Sequence, residues 1–197
     1  YTDDINRPGQ ACAFILRSPH AHARIAGIET AKAAAMPGVI AIYTSADLAG
    51  IGGLPCGWQI HNKDGTPMAE PKHPVLAEGK VRHVGDPVAV VIAETRAQAR
   101  DAAEAVLVDY EVLPAVASMA AAQAPGAPLV HEGVAGNLCY DWHIGDAAQV
   151  EAAFAKAAHR VVFETTNNRL VPNAMEPRCA VGDYDTLLRT DATAGVL

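Results

Sequence analysis

The spacing of apolar and polar positions changes period several times along the chain. Ala11-Cys12-Ala13-Phe14-Ile15-Leu16 is a short apolar run between Gly9 and Ser18-Pro19, which predicts a buried strand. A second short run passes through Ala23-Arg24-Ile25. Thr30 then precedes an Ala-rich stretch, 31–36, that Pro37-Gly38 closes; this predicts a helix with Thr30 as its N-cap. Val39 to Thr44 is rich in β-branched residues and predicts the next strand. From Gly50 to Pro74 periodicity fades and Gly and Pro accumulate, as in a long surface loop.

Order returns at Pro87. Val88 to Ala93 predicts a strongly buried strand. Thr95 with Gln98 has capping-box spacing, and Ala99, Ala102, Ala103 and Val106 follow at helical intervals. Val106 to Leu113 alternates as a strand, so this stretch reads as a compact strand–helix–strand α/β unit. Residues 115–128 predict a short helix and a linker ending in Pro125-Gly126-Ala127-Pro128. Asp146 with Gln149 is a second capping box, before a helix over 147–158 with Val150 and Phe154 on one face. His159 to Val171 reads as a long strand-like stretch.

The 197 residues are 50% hydrophobic and 19% charged, the composition of a globular protein with a real core. Fifteen Lys and Arg against 22 Asp and Glu give a formal charge of -7, which argues against a nucleic-acid partner. No apolar run approaches the ~20 residues of a membrane helix, and the acidic start Tyr1-Thr2-Asp3-Asp4 is unlike a signal peptide. A cytoplasmic protein with no membrane partner is expected. The first residue is not Met, as in a chain that begins inside a longer one. Cys12, Cys56, Cys139 and Cys179 form no C-x-x-C pair, so iron–sulfur and zinc-ribbon readings lack support; reduced, mostly buried thiols are expected.

Candidate chemistry is sparse. His20 and His22, at i and i+2, would share one face of a strand, a geometry metals accept, but no third ligand is identifiable. Asp3-Asp4 reads as a solvated terminal pair. The glycines match neither phosphate-binding fingerprint, and no G-x-S-x-G elbow occurs. Met175-Glu176-Pro177-Arg178 is the most unusual polar cluster. Pro177 favours an extended Glu176, which could pair with Arg169 or Arg178 or line the wall of a binding site. Residues alone thus reach an α/β protein in two segments.

Several segments together resemble the molybdenum-bearing large subunit of the xanthine dehydrogenase, aldehyde oxidase and aerobic carbon monoxide dehydrogenase family. Tyr1-Thr2-Asp3-Asp4-Ile5 is similar to its early Y-x-D-D segment. Arg17-Ser18-Pro19-His20-Ala21-His22-Ala23-Arg24-Ile25 resembles its R-S-P-H-A-H-A-x-I segment, and Pro37-Gly38-Val39 with Thr44 to Leu48 its P-G-V…T-x-x-D-L. Val81 to Ala89 resembles V-R-x-V-G-[DE]-P-V-A, and Val108 to Pro114 resembles V-D-Y-E-x-L-P. Residues 137–146, Asn168-Arg169 and Met175 to Arg178 look like the start of the following domain.

The resemblance implies an α+β fold: an α/β hammerhead domain over 1–113, a linker over 114–136, and the incomplete start of a molybdopterin-binding domain over 137–197. It implies an oxidoreductase that hydroxylates a heterocycle or aldehyde with water-derived oxygen, or oxidises carbon monoxide. In such a protein molybdenum-molybdopterin does the chemistry on a small-molecule substrate. The 2Fe-2S clusters sit on a small subunit and FAD on a medium subunit of a heterotrimer, itself dimerised. The family's cofactor-binding Gln, substrate loop and catalytic Glu match nothing in 1–197, and 186–197 have no clear counterpart. No catalytic residue is transferred, no metal site or bound cofactor is expected on this chain alone, and Glu176 and Arg178 are expected only to support a cofactor site from behind its direct contacts. The other readings are a non-catalytic hammerhead assembly module or truncated relic, and an independent metal-binding protein using His20 and His22.

Overall fold

A computed structural model describes residues 4–168, 170–175 and 178–183. They fall into two units, one of Ala11–Gly145, the other drawn from residues before Ala11 and after Gly145.

Two three-stranded sheets build the first unit. β1 (Cys12–Arg17), β5 (Pro87–Ala93) and β3 (Val39–Thr44) form one, in the order β1-β5-β3. β4 (Lys80–Val81), β2 (Ala23–Glu29) and β6 (Leu107–Val112) form the other, in the order β4-β2-β6. Every pairing is antiparallel. β5 is central, which explains its nearly unbroken apolar sequence: a strand flanked on both edges and covered on its faces has few positions for polar groups. Val91 sits between Phe14 on β1 and Ile42 on β3 and is fully buried.

The covering element is α2 (Arg96–Ala105). Thr95 caps it by accepting from the Gln98 N–H, and its hydroxyl also meets the Gln98 side chain at 2.8 Å. Ala99, Ala102 and Ala103 form its buried stripe; their small side chains let the helix approach the sheet closely. Val91, Ala33, Ala102, Ala103 and Val106 make one core cluster, with Phe14, Leu16 and Ile42 against it. A second cluster joins Ala23, Ala77, Val81 and Val88, with Ile25 and Tyr110 packed on it. The expected strand–helix–strand unit is real in order, but its strands β5 and β6 lie in different sheets. The helix therefore crosses between sheets instead of linking neighbours in one.

One other expectation changes locally. Thr30 takes the N-cap position of α1 (Ala31–Ala34), but its backbone is helical, at φ -110° and ψ -11°, and its side chain makes no cap bond. Thr44 and Asp47, part of the T-x-x-D-L segment, do form a capping box, which opens a 3-10 turn over Ser45–Leu48. The Asp47 carboxylate accepts from the Thr44 N–H at 2.7 Å and hydroxyl at 3.0 Å, and these bonds lower its pKa. The loop expected over 50–74 carries a single isolated bridge, His61 to Pro67.

α3 (Met119–Gln123) follows β6, capped by Ser118. In the other unit, α4 (Ala147–Lys156) starts at Asp146, whose carboxylate caps it by accepting from the Gln149 N–H at 3.0 Å. Val150 and Phe154 remain half exposed. The described residues of 159–171 form no strand, contrary to the period of their sequence. A strand is stable only when a neighbour takes up its backbone groups, and none among the described residues does so here. The thiols also differ from expectation: all four are free, but only Cys12 is partly buried, and Cys56, Cys139 and Cys179 are exposed in irregular segments.

Candidate functional site

Three of the segments that carry the family resemblance meet at one end of the first unit. The turn between β4 and β5 is built by Asp86, whose carboxylate accepts the Arg82 N–H at 2.9 Å. Gly85 makes this turn possible, since its φ of +89° is costly for any residue with a Cβ. The turn is clasped to the end of β1: the Ser18 N–H donates to Asp86 O at 2.9 Å and the Gly85 N–H to Ser18 O at 2.8 Å. Arg17 adds a bond from its guanidinium to Gly85 O at 2.9 Å.

His20 and His22 lie in the turn before β2, not on the strand. Spacing of two therefore does not place them on one face. The His20 ring meets Tyr110 edge-on with centroids 4.9 Å apart. Burial raises the Tyr110 pKa, against a lowering hydrogen bond with Ser18. His22 is buried, and its Nδ1 lies 2.8 Å from Pro114 O. The Leu113 N–H returns a bond to His22 O at 2.9 Å. The two histidines thus anchor β6 and the chain leaving it. Among the described residues, no three His, Cys, Asp or Glu groups converge as a metal would require.

Beside this knot lies a cavity of about 310 Å³, lined among others by Lys72, His73, Lys80, Arg82, Asp86 and His131. Its cations are largely matched. Lys72 pairs with Glu78 at 2.6 Å, and Lys80 is in contact with Glu132. The Lys80 hydrogen bond, first among the causes, pulls the Glu132 pKa down to about 2. Arg82 Nε donates to Val130 O at 3.1 Å. Burial, and then the Arg82 charge, lower the His131 pKa. Sequence spacing did not announce this cluster, because Lys80 and Glu132 stand 52 positions apart. Its one visible signal was Val81-Arg82-His83-Val84-Gly85-Asp86-Pro87, where a charge and a glycine interrupt an apolar stretch.

Of the two residues expected to support a cofactor, Arg178 alone is among the described residues. Arg178 is exposed. Glu176, Pro177 and Arg169 lie outside the described residues, as does Asp3. No described helix is long and apolar enough to cross a membrane.

Comparison with known proteins agrees with the motif reading. Residues 1–114 match the family described as aldehyde oxidase and xanthine dehydrogenase, a/b hammerhead domain. The carbon monoxide dehydrogenase large chain of Afipia carboxidovorans is 36% identical over 199 residues, covering 95% of this chain and 24% of that protein. The nicotine 6-hydroxylase large subunit of Paenarthrobacter nicotinovorans is 35% identical over 191 residues, covering 94% of this chain and 22% of that subunit. Among solved structures, the Cu,Mo-CO dehydrogenase superposes with a TM-score of 0.64 at 37% identity, over 80% of this chain and 20% of that one. Quinoline 2-oxidoreductase from Pseudomonas putida 86 gives 0.60 at 39% identity, over 69% of this chain and 17% of its own. The chain spans about a quarter of the length of the relatives it matches. With its first 114 residues matched by the hammerhead domain, and an α+β fold shared with these enzymes, the chain belongs to the aldehyde oxidase and xanthine dehydrogenase family.

Proposed function

We propose that this chain is the N-terminal portion of a molybdenum hydroxylase large subunit: a complete hammerhead domain over 1–113, a linker over 114–136, and the opening of a molybdopterin-binding domain over 137–197. One observation carries the proposal. Every buried apolar residue among those described lies within Ala11–Gly145, while Val161, Val162, Phe163, Leu170, Val171 and Met175 are each more than 80% exposed. Such a run of large apolar side chains is what a domain presents when further chain is needed to cover it.

In the longer protein, the reaction is hydroxylation of a heterocycle or aldehyde with oxygen from water, or oxidation of carbon monoxide, at a molybdenum-molybdopterin cofactor. The hammerhead's part is architectural: the clasp of Asp86, Ser18, His22 and Pro114 fixes where the linker leaves. Electrons pass to 2Fe-2S and FAD on small and medium subunits of a dimerised heterotrimer. Glu176 and Arg178 stand behind the cofactor contacts. The free thiols suit a reducing cytoplasm.

A second reading, an assembly module without chemistry, is favoured by the same self-contained core in Ala11–Gly145. The two are separated by reading the coding DNA past codon 197, then assaying the product for molybdenum. An open frame of several hundred codons whose product carries stoichiometric molybdenum supports the hydroxylase. A stop, with a folded product that binds partner subunits but no molybdenum, supports the module.

A further inference from the structure

His22 is only 8% exposed, and its two ring nitrogens have unequal fates. Nδ1 faces Pro114 O at 2.8 Å. A carbonyl oxygen can only accept, so Nδ1 carries the proton. In the neutral ring, Nε2 is then a bare lone pair. It is buried and has no partner among the described residues. Buried polar atoms of this kind nearly always find a donor, from the protein or from water.

His22 also lines a cavity of about 20 Å³, together with Arg82, Pro114, Val116, Pro128 and Val130, among others. Two lining residues are prolines, which have no N–H to give. Arg82 uses its Nε on Val130 O and has further N–H groups on the same guanidinium. The volume exceeds the roughly 10–15 Å³ that one water needs and is too small for a metabolite.

We propose that this cavity binds one structural water, which donates a hydrogen to His22 Nε2 and accepts one from the Arg82 guanidinium. The water closes a ring of polar contacts around the linker. His22 holds Pro114 at its start, Arg82 holds Val130 near its end, and the water ties the two side chains together. It also fixes the His22 tautomer, because its hydrogen occupies the lone pair that the alternative form would protonate.

Two-bond proton–nitrogen correlations on the ¹⁵N-labelled 197-residue chain, with water-selective cross-relaxation to the His22 ring, test this. The expected result is a protonated Nδ1, an Nε2 shifted as a hydrogen-bond acceptor, and a cross-peak from a long-lived water. A protonated Nε2, or a correct tautomer with no water cross-peak, overturns the proposal. The variant Arg82→Met tests the second contact. Water exchange faster by tenfold or more, with amide protection in β5 unchanged, supports it, and unaltered exchange overturns the role of Arg82. Should that variant lose β5 protection, the water cross-peak to the His22 ring of the unmodified chain, present or absent, decides the proposal by itself.

Discussion

The Asp86 carboxylate accepts the backbone N–H of Arg82, four residues earlier, at 2.9 Å, and so closes the turn that leads into the central strand β5. Asp86 is also only 9% exposed, and His83 Nδ1 lies 3.7 Å from the same carboxylate. Asp86→Ala removes this bond and leaves a part-buried N–H without a partner. A loss of about 2 kcal/mol in unfolding free energy is expected, with a smaller loss for Asp86→Asn, which keeps one acceptor oxygen. Urea titrations of the three proteins check this.

His22 gives a second prediction. Truncation to Ala strands Pro114 O and opens space beneath the linker. The cost is about 2–3 kcal/mol, whereas His22→Asn, whose amide can still donate to that carbonyl, loses about half as much. Thermal melts would show the order Ala below Asn below wild type. Equal melting of Ala and wild type would mean that the bond contributes nothing.

Gly38 turns the chain from α1 into β3 at φ +78°. A Cβ there would come within 2.2 Å of the Gln98 side-chain nitrogen. Gly38→Ala is expected to cost about 1–2 kcal/mol from the backbone alone, because Gln98 is long enough to swing aside. Adding Gln98→Ala should therefore recover little of this loss, and chemical denaturation of the double variant beside Gln98→Ala alone checks it.

Acid should weaken the fold in two steps. The His131 pKa is lowered in the folded chain, so the unfolded chain binds the proton more readily; stability present above the ordinary pKa of 6.5 is lost as pH falls below it. The Glu132 pKa also lies below its ordinary 4.5, at about 2, so its contribution is present above pH 4.5 and is lost on the way down to about 2. Melting temperature measured from pH 8 to pH 2 should fall in both windows. His131→Gln should flatten the first and Lys80→Met the second. The second is expected to be small, since Glu132 is mostly exposed.

Much of the fold was legible because local pattern and tertiary burial agree. Val88 to Ala93 reads as a buried strand and is the centre of a sheet; Ala99, Ala102 and Ala103 read as a helix face and are the face that packs. The order β1-β5-β3 was not legible, since Phe14 and Val91 are 77 positions apart and nothing local selects that pairing. The spacing of His20 and His22 puts them on a shared face only on a strand; in the turn before β2 they diverge, one to Tyr110 and one to Pro114. Val161, Val162 and Phe163 have strand chemistry without a strand, because β-propensity describes a surface that still requires a neighbour. Of the candidate site, motifs gave the segments and the family. Their meeting around Asp86 and His22 is a long-range event that spacing could not supply.

Residue-resolved hydrogen exchange on the 197-residue chain tests the central claim most directly. A self-contained hammerhead followed by the opening of a larger domain predicts strong protection in β1, β5, β3, β2, β6 and α2. It predicts near-unprotected exchange from Ala147 to Met175. Protection in that segment equal to that of β5 would contradict the account, because it would mean that the second unit completes its own core.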